Sequence, residues 1–393
     1  MNKTKALGNS AIVLYFIIGL EIMIMISPFA GFFYSVFNPF LLQTAKYPAT
    51  RWLSSFFLPH MVVPPDDFLK TIRVMGSFLF VAGMAGFLIC ALQVYANKFM
   101  KRGTALKGLY SIIRHPQYVM LSISGIGLSI LWPRFLVVVL WLVMVLLYYF
   151  LSRDEERRML KNHPETYQDY MEKTGMFLPK QFESRLAPSS FSGRAALFVI
   201  LAALTMGSAF FLRDYTVRHL PIWTETNVSA LAIIPEDMEK MEHRMPDILN
   251  LEEVKAQIKD GNHYLVYFLP SNYIMQGLIA DTGTDWKLYK QHHTISMITD
   301  WIFHPFRHLT EGHHSHGEMT GHAMHSVQEG IVRRLLFLRI EDVPVERPSD
   351  LFSINAKRIP VIMLDLEIHN MTVLEVKELL HDTGWGTVPT PVF

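Results

Sequence analysis

The sequence predicts an α-helical polytopic membrane domain of about five transmembrane helices, two of them in a tight hairpin. A C-terminal soluble α/β or α+β domain follows. Three observations carry this expectation. Half of the 393 residues are hydrophobic and 18% are charged, with a mean hydropathy of +0.22. A soluble domain usually carries about 25% charge. The apolar residues also gather in long runs before residue 213, and a helix needs about 20 of them to cross a bilayer. After residue 213 the runs shorten to strand length and polar residues intervene.

The first run, Ala11 to Phe37, is too long for a signal peptide and reads as a span that stays, with Glu21 inside it. Residues 38–70 form a loop rich in proline and aromatics. Pro64-Pro65-Asp66-Asp67 then signals a helix start, and a second span runs from Leu69 to Tyr95. A basic stretch with Lys98, Lys101, Arg102, Lys107 and Arg114 comes next. Two short apolar arms follow, Tyr118 to Leu131 and Phe135 to Leu151, with Trp132-Pro133-Arg134 between them. Residues 152–193 are polar, and a last span covers Ala195 to Leu212. The expected division is a membrane domain over 1–193, a final helix over 194–212 and a soluble domain over 213–393. Lysine and arginine gather in short loops on the cytoplasmic side. The N-terminus and the basic segments are therefore expected to be cytoplasmic, and residues 213–393 extracytoplasmic.

In the C-terminal part, strands are expected at Tyr264–Leu269, Leu335–Ile340 and Pro360–Leu366. Helices are expected at Leu251–Ile258 and Thr372–His381. The second has a capping box, Thr372 with Glu375, and Gly384 beyond its end. A net charge of +1 gives no field to draw nucleic acid. Cys90 is the single cysteine, so neither a disulfide framework nor a thiolate zinc site is available.

Two polar clusters flank the apolar hairpin. Tyr110 and Arg114-His115-Pro116-Gln117-Tyr118 precede it, and Arg153-Asp154-Glu155-Glu156-Arg157-Arg158 follows it. A hairpin brings its own ends together, so the clusters should meet at the membrane–water interface. Singly, each has a plainer explanation: a basic and aromatic anchor at a span's end, and a solvated helix start with i,i+4 pairs. Together, the Arg-His-Pro-x-Tyr motif, the hairpin, Glu155-Glu156 and the paired Tyr167 and Tyr170 resemble the isoprenylcysteine carboxyl methyltransferase family and related phospholipid methyltransferases. The resemblance covers roughly residues 70–180. His163-Pro164 and Leu109 depart from the residues usual there.

The resemblance implies S-adenosylmethionine as methyl donor and a lipid-like or small apolar acceptor drawn from the bilayer. It implies cofactor binding by Tyr110, Arg114, His115, Tyr118 and Glu155, with the backbone of Ala105 nearby. Arg153 lies near the place of an arginine that serves the acceptor, and Glu156 or His115 is a candidate base for an amine or hydroxyl acceptor. The residue types suit that chemistry. A carboxylate can take an ammonium or ribose hydroxyls, aromatic faces can stabilise a sulfonium, and imidazole can both donate and accept.

Nine of the 17 histidines fall between residues 292 and 325. Such tracts suggest metal binding. His313, His314, His316, His322 and His325 are candidate ligands for zinc, copper or nickel, as a chelating loop in a glycine-rich segment. A second reading therefore stands beside the enzyme: a membrane metal-handling or sensor protein on a methyltransferase-like scaffold.

Overall fold

The computed structural model describes residues 44, 47–59, 62, 65–99, 108–188, 190–270 and 332–378. The expected first span, Ala11 to Phe37, lies outside them. The chain divides into two compact units: Asp67–Arg213 with Met1–Pro28, and Phe29–Asp66 with Asp214–Phe393.

The helical unit contains α1 (Asp67–Phe99), α2 (Pro116–Leu131), α3 (Phe135–Asn162), α4 (Pro164–Lys173), α5 (Lys180–Leu186) and α6 (Phe191–His219), which runs on past Arg213. Among the described residues three helices are long and apolar enough to cross a membrane: Asp67–Val94, Phe135–Asn162 and Phe191–His219. α2 is apolar but shorter. Many large side chains on α1 and α6 are uncovered, among them Val74, Phe78 and Leu92, and Val199, Leu204 and Phe211. Apolar surface left open in this way suits a hydrocarbon solvent.

Small residues let α1 and α2 approach closely in antiparallel register. A methyl group placed on Gly127 would meet the Gly76 carbonyl oxygen at 2.6 Å, and one on Gly83 would meet the Met120 carbonyl oxygen at 2.7 Å. Backbone approach at small residues is a main source of packing energy between membrane helices. α2 meets α3 where Trp141 Nε1 donates to the Ser122 carbonyl (3.0 Å) and its ring lies against Gly125. α6 joins α3 through Phe135–Phe210 ring packing at 4.5 Å and a 3.0 Å bond from Arg194 Nη1 to Tyr149 Oη.

The expected hairpin is present, but its second arm is longer than its apolar run. α3 continues as one helix eleven residues beyond Leu151 to Asn162. The polar segment Ser152–Lys161 contains good helix formers and i,i+4 pairing of Asp154 with Arg158, so polarity here does not end the helix.

The second unit is a six-stranded sheet of order β1-β2-β3-β4-β5-β6, formed by Ile222–Glu225, Val228–Ala232, His263–Pro270, Val332–Glu341, Lys357–Glu367 and Thr372–Glu378. β2 and β3 are parallel and the other neighbours antiparallel. Between the parallel strands comes α7 (Met238–Leu249). Its Met241, Met245 and Ile248 cover one sheet face, built from residues such as Val266, Phe268, Phe337 and Leu364. The other face, with Leu231, Tyr267, Leu336 and Met363, is covered by Leu351, Phe352 and Val62 of the loop before α1. Arg51 in that loop donates to the Asn355 carbonyl (2.7 Å) and lies 3.5 Å from Asp342. The loop and the C-terminal sheet are thus one folded body.

Two expectations for this unit change. Of the helix expected over Thr372–His381, the described residues Thr372–Glu378 instead form edge strand β6, with Val376 opposite Leu364 and Val373 opposite Leu366. Val373 and Val376 are three residues apart, and a register shift in the pairing between Asp365 and Leu366 sets them opposite leucines; pairing with β5 outweighs the capping signal. The helix expected over Leu251–Ile258 is a single turn, Glu252–Lys255.

Candidate active site

The two polar clusters meet across the hairpin. Arg114 Nε donates to Glu156 Oε1 at 2.6 Å, and both side chains are almost wholly buried. His115 lies between the two carboxylates, with Nδ1 3.4 Å from Glu155 Oε2 and Nε2 3.6 Å from Glu156 Oε1. Those distances are long for hydrogen bonds but close enough for strong charge interaction. Tyr118, in the first turn of α2, donates to Glu155 Oε1 at 2.7 Å. Its ring stacks on Tyr148 of α3 at 4.8 Å and on His115 at 5.8 Å.

Local sequence explains how these side chains are placed. Pro116 opens α2 at a position where its missing N–H is no loss, and it leaves His115 just outside the helix. A strap over Thr174–Met176 then holds the motif from behind. Arg114 N donates to the Gly175 carbonyl (2.8 Å) and His115 N to the Met176 carbonyl (3.1 Å). The Arg114 guanidinium donates to the Thr174 and Met171 carbonyls. Gly175 has no room for a side chain, because a methyl group there would meet Glu183 Oε2 at 2.5 Å and lie closer still to the Leu178 carbonyl. Glu183 in turn accepts from Met176 N. Tyr170 Oη donates to the Tyr110 carbonyl (2.5 Å), and Tyr110 Oη to Gln117 Oε1 (3.1 Å).

Burial works against a charged His115, yet the Glu155 and Glu156 carboxylates beside its two ring nitrogens outweigh it and hold its pKa above the ordinary value. Burial pushes the Tyr110, Tyr167 and Tyr170 hydroxyls up, so they remain neutral donors at neutral pH.

Tyr110, Arg114, His115, Tyr118, Glu155 and Glu156 are therefore brought together. Arg153 is set apart: its side chain is half exposed and reaches Glu156 Oε2 at 3.9 Å. Ala105 lies outside the described residues, as do His313, His314, His316, His322 and His325. Among the described residues no group of three or more His, Cys, Asp or Glu side chains is placed to hold a metal ion.

Sequence reasoning missed the Thr174–Met176 strap, Phe177, whose ring lies 6.1 Å from His115, and two hydroxyls on α3. Tyr148 and Ser152 are buried, and neither side-chain oxygen has a hydrogen-bond partner; the same holds for both His115 ring nitrogens. The signal for the α3 pair was spacing. Tyr148, Ser152 and Glu156 follow one another at four-residue intervals along one helix face.

Residues 95–166 match the model of a family described as phospholipid methyltransferase. The match falls on the hairpin and both polar clusters, in agreement with the resemblance to membrane methyltransferases of the isoprenylcysteine type. The chain is also 31% identical over 113 residues to the nickel-cobalt-cadmium resistance protein NccN of Alcaligenes xylosoxydans xylosoxydans. That stretch is 28% of this chain and 50% of NccN, so the chain spans about half the length of the curated relative it matches. No solved structure matches the chain.

Proposed function

We propose that this protein is an integral-membrane, S-adenosylmethionine-dependent methyltransferase that acts on a lipid-like or small apolar acceptor. The observation that carries the reading is the junction of Arg114-His115 and Tyr118 with Glu155-Glu156 across the hairpin. It lies inside the segment that matches the phospholipid methyltransferase family.

The residues present fit such a cofactor. Two buried imidazole nitrogens have unused hydrogen-bonding capacity. The Glu155 side chain is 40% exposed and can take an ammonium or ribose hydroxyls. The stacked His115 and Tyr118 rings offer aromatic faces to a sulfonium. When bound, the cofactor supplies an electrophilic methyl group that an acceptor lone pair takes in line, returning the bond's electron pair to sulfur. The protein's task is then to position and to exclude water. Tyr118 orients Glu155, while Arg114 and the strap fix His115. Glu156, buried and engaged by Arg114, acts as a positioning residue, and Glu155 is the carboxylate open to ligand. Ala105 and Arg153 would border the cofactor and the acceptor respectively.

The site is proposed to face the cytoplasm, with the sheet unit on the other side. Arg153, Arg157, Arg158 and Lys161 beside the site support this by the positive-inside tendency. The loop before α1 folds with the C-terminal sheet, so both belong on one side of the membrane. A C-terminal reporter active in the cytoplasm would overturn this orientation.

Titration calorimetry of the purified chain with S-adenosylmethionine tests the enzyme reading, and absence of binding rejects it. Glu155→Ala should weaken that binding at least tenfold, in line with loss of a charged hydrogen bond of about 1.5–3 kcal/mol. Product analysis after incubating membranes with labelled cofactor names the acceptor.

A second reading draws on the histidine-rich segment and on NccN, whose name ties that protein to nickel, cobalt and cadmium resistance. Here the enzyme, or its scaffold, works in metal handling, and residues 311–325 chelate a transition metal. Zinc, copper and nickel titrations before and after deletion of 311–325 test it. Unchanged stoichiometry rejects the segment as a ligand source.

A further inference from the structure

Tyr148 Oη and Ser152 Oγ are the two buried hydroxyls on α3 that the site as described leaves unused. The His115 nitrogens, also without a hydrogen-bond partner, at least face carboxylates. An unpaired hydroxyl in a buried place is destabilising, and phenylalanine and alanine would fill these positions without that cost. The pair is also placed with order. Above it stand Glu155 and Glu156, one turn beyond Ser152. Beside it Tyr148 stacks on Tyr118, the tyrosine that holds Glu155. Below it Trp141 closes the α2–α3 contact against Gly125 and Ser122. At 1.5 Å per residue, Tyr148 lies about 12 Å along the helix axis from Glu156, within the apolar run of α3.

We propose that Tyr148 and Ser152 form the acceptor subsite of the methyltransferase, and that they hydrogen-bond an uncharged hydroxyl or thiol head group on an apolar chain, whose proton would leave to the open Glu155 carboxylate as the methyl group is taken. The proposal rests on the methyltransferase reading. The α3 stretch from Trp141 to Ser152 carries no ionisable side chain apart from its tyrosines, and a charge at membrane depth is costly. A carboxylate head would in addition approach Glu155. Two hydroxyls can both donate and accept, which suits a neutral head that does the same.

The test uses the full-length chain in phosphatidylcholine nanodiscs saturated with S-adenosylhomocysteine. Dodecanol, dodecanethiol and dodecanoate, which share one chain length, are titrated into the wild type and into Tyr148→Phe and Ser152→Ala. Both variants keep the packing, since Phe retains the ring stacked on Tyr118. Dodecanol or dodecanethiol should bind saturably to the wild type, and each substitution should weaken that binding about tenfold. Affinity for S-adenosylhomocysteine should stay within about twofold, as expected if the hydroxyls serve the acceptor. Equal binding by the variants, no saturable binding, or preference for dodecanoate overturns the subsite. So does a variant that loses S-adenosylhomocysteine instead, because the hydroxyls then belong to the cofactor. A wild-type chain with no affinity for S-adenosylhomocysteine overturns the enzyme reading itself, and the subsite with it.

Discussion

Glu156→Ala should be the most damaging single change in the helical unit outside its helix contacts. The carboxylate accepts from Arg114 Nε at 2.6 Å, faces His115 Nε2 at 3.6 Å and Arg153 Nη1 at 3.9 Å, and is 3% exposed. Removing one partner of a buried ion pair costs about 3–5 kcal/mol, because the other charge is left uncompensated. Two terms reduce the figure. Arg114 keeps its bonds to the Thr174 and Met171 carbonyls, and half-exposed Arg153 contributes little. We therefore expect a loss of about 3 kcal/mol for alanine, and about 1–2 for Glu156→Gln, which keeps a neutral acceptor. Equilibrium unfolding in mixed SDS micelles measures both. A cycle with Arg114→Met isolates the pair, and the double variant should lose less than the two single losses combined, by about 2 kcal/mol or more. A Glu156→Ala loss below about 1 kcal/mol, or strict additivity, would refute a buried pair that holds the site together.

Protonated His115 should stabilise the fold. Its folded-state pKa is raised, so the contribution is complete below the ordinary value of about 6.5 and is lost as pH rises through the folded value. Stability should fall above about pH 6.5, and the fall should disappear in His115→Gln. A flat profile for the wild type would count against the charged imidazole. Gly83→Leu and Gly127→Leu should each cost about 1–3 kcal/mol or more, because the new side chain would enter the backbone of the facing helix. Gly207, with open space around it, is the control, and equal effects at all three positions would argue against the α1–α2 contact. In the sheet unit, Asp237 receives two bonds from Arg333, at 2.7 and 2.8 Å, and is fully buried. Asp237→Ala should cost about 3–5 kcal/mol by thermal or chemical unfolding, while S-adenosylmethionine affinity stays unchanged.

The meeting of Arg114-His115 with Glu155-Glu156 was legible in the sequence because a short apolar hairpin leaves its ends little choice. The three long apolar helices past residue 66 were legible for a related reason: an apolar run of near bilayer length has few other fates. What stayed hidden depended on contacts distant in the chain. The Thr174–Met176 strap uses backbone carbonyls, which carry no residue signature. The Thr372–Glu375 pair announced a helix cap, yet β5 was waiting to pair with Val373 and Val376. Nor does local pattern show that Val62 and Arg51, both before α1, pack against a sheet unit whose first strand begins at Ile222.

The continuous α3 helix has a consequence for how the site can work. Tyr148, Ser152, Glu155 and Glu156 stand on one rigid element, so their mutual spacing is set by helix geometry and cannot vary independently. α2 supplies the facing wall, and its entry is clamped twice: by the Arg114–Glu156 pair in front and by the carbonyls of Thr174, Gly175 and Met176 behind. The strap holds the His115 side of this frame through backbone carbonyls. Glu183 ties that strap to α5, whose Phe182 and Leu186 are uncovered. Loosening the strap at Glu183 should therefore disturb His115 while leaving α3 intact. Glu183→Gln is then expected to lower S-adenosylmethionine affinity with little change in stability. The opposite result, unchanged affinity with lost stability, would place the strap outside the working site.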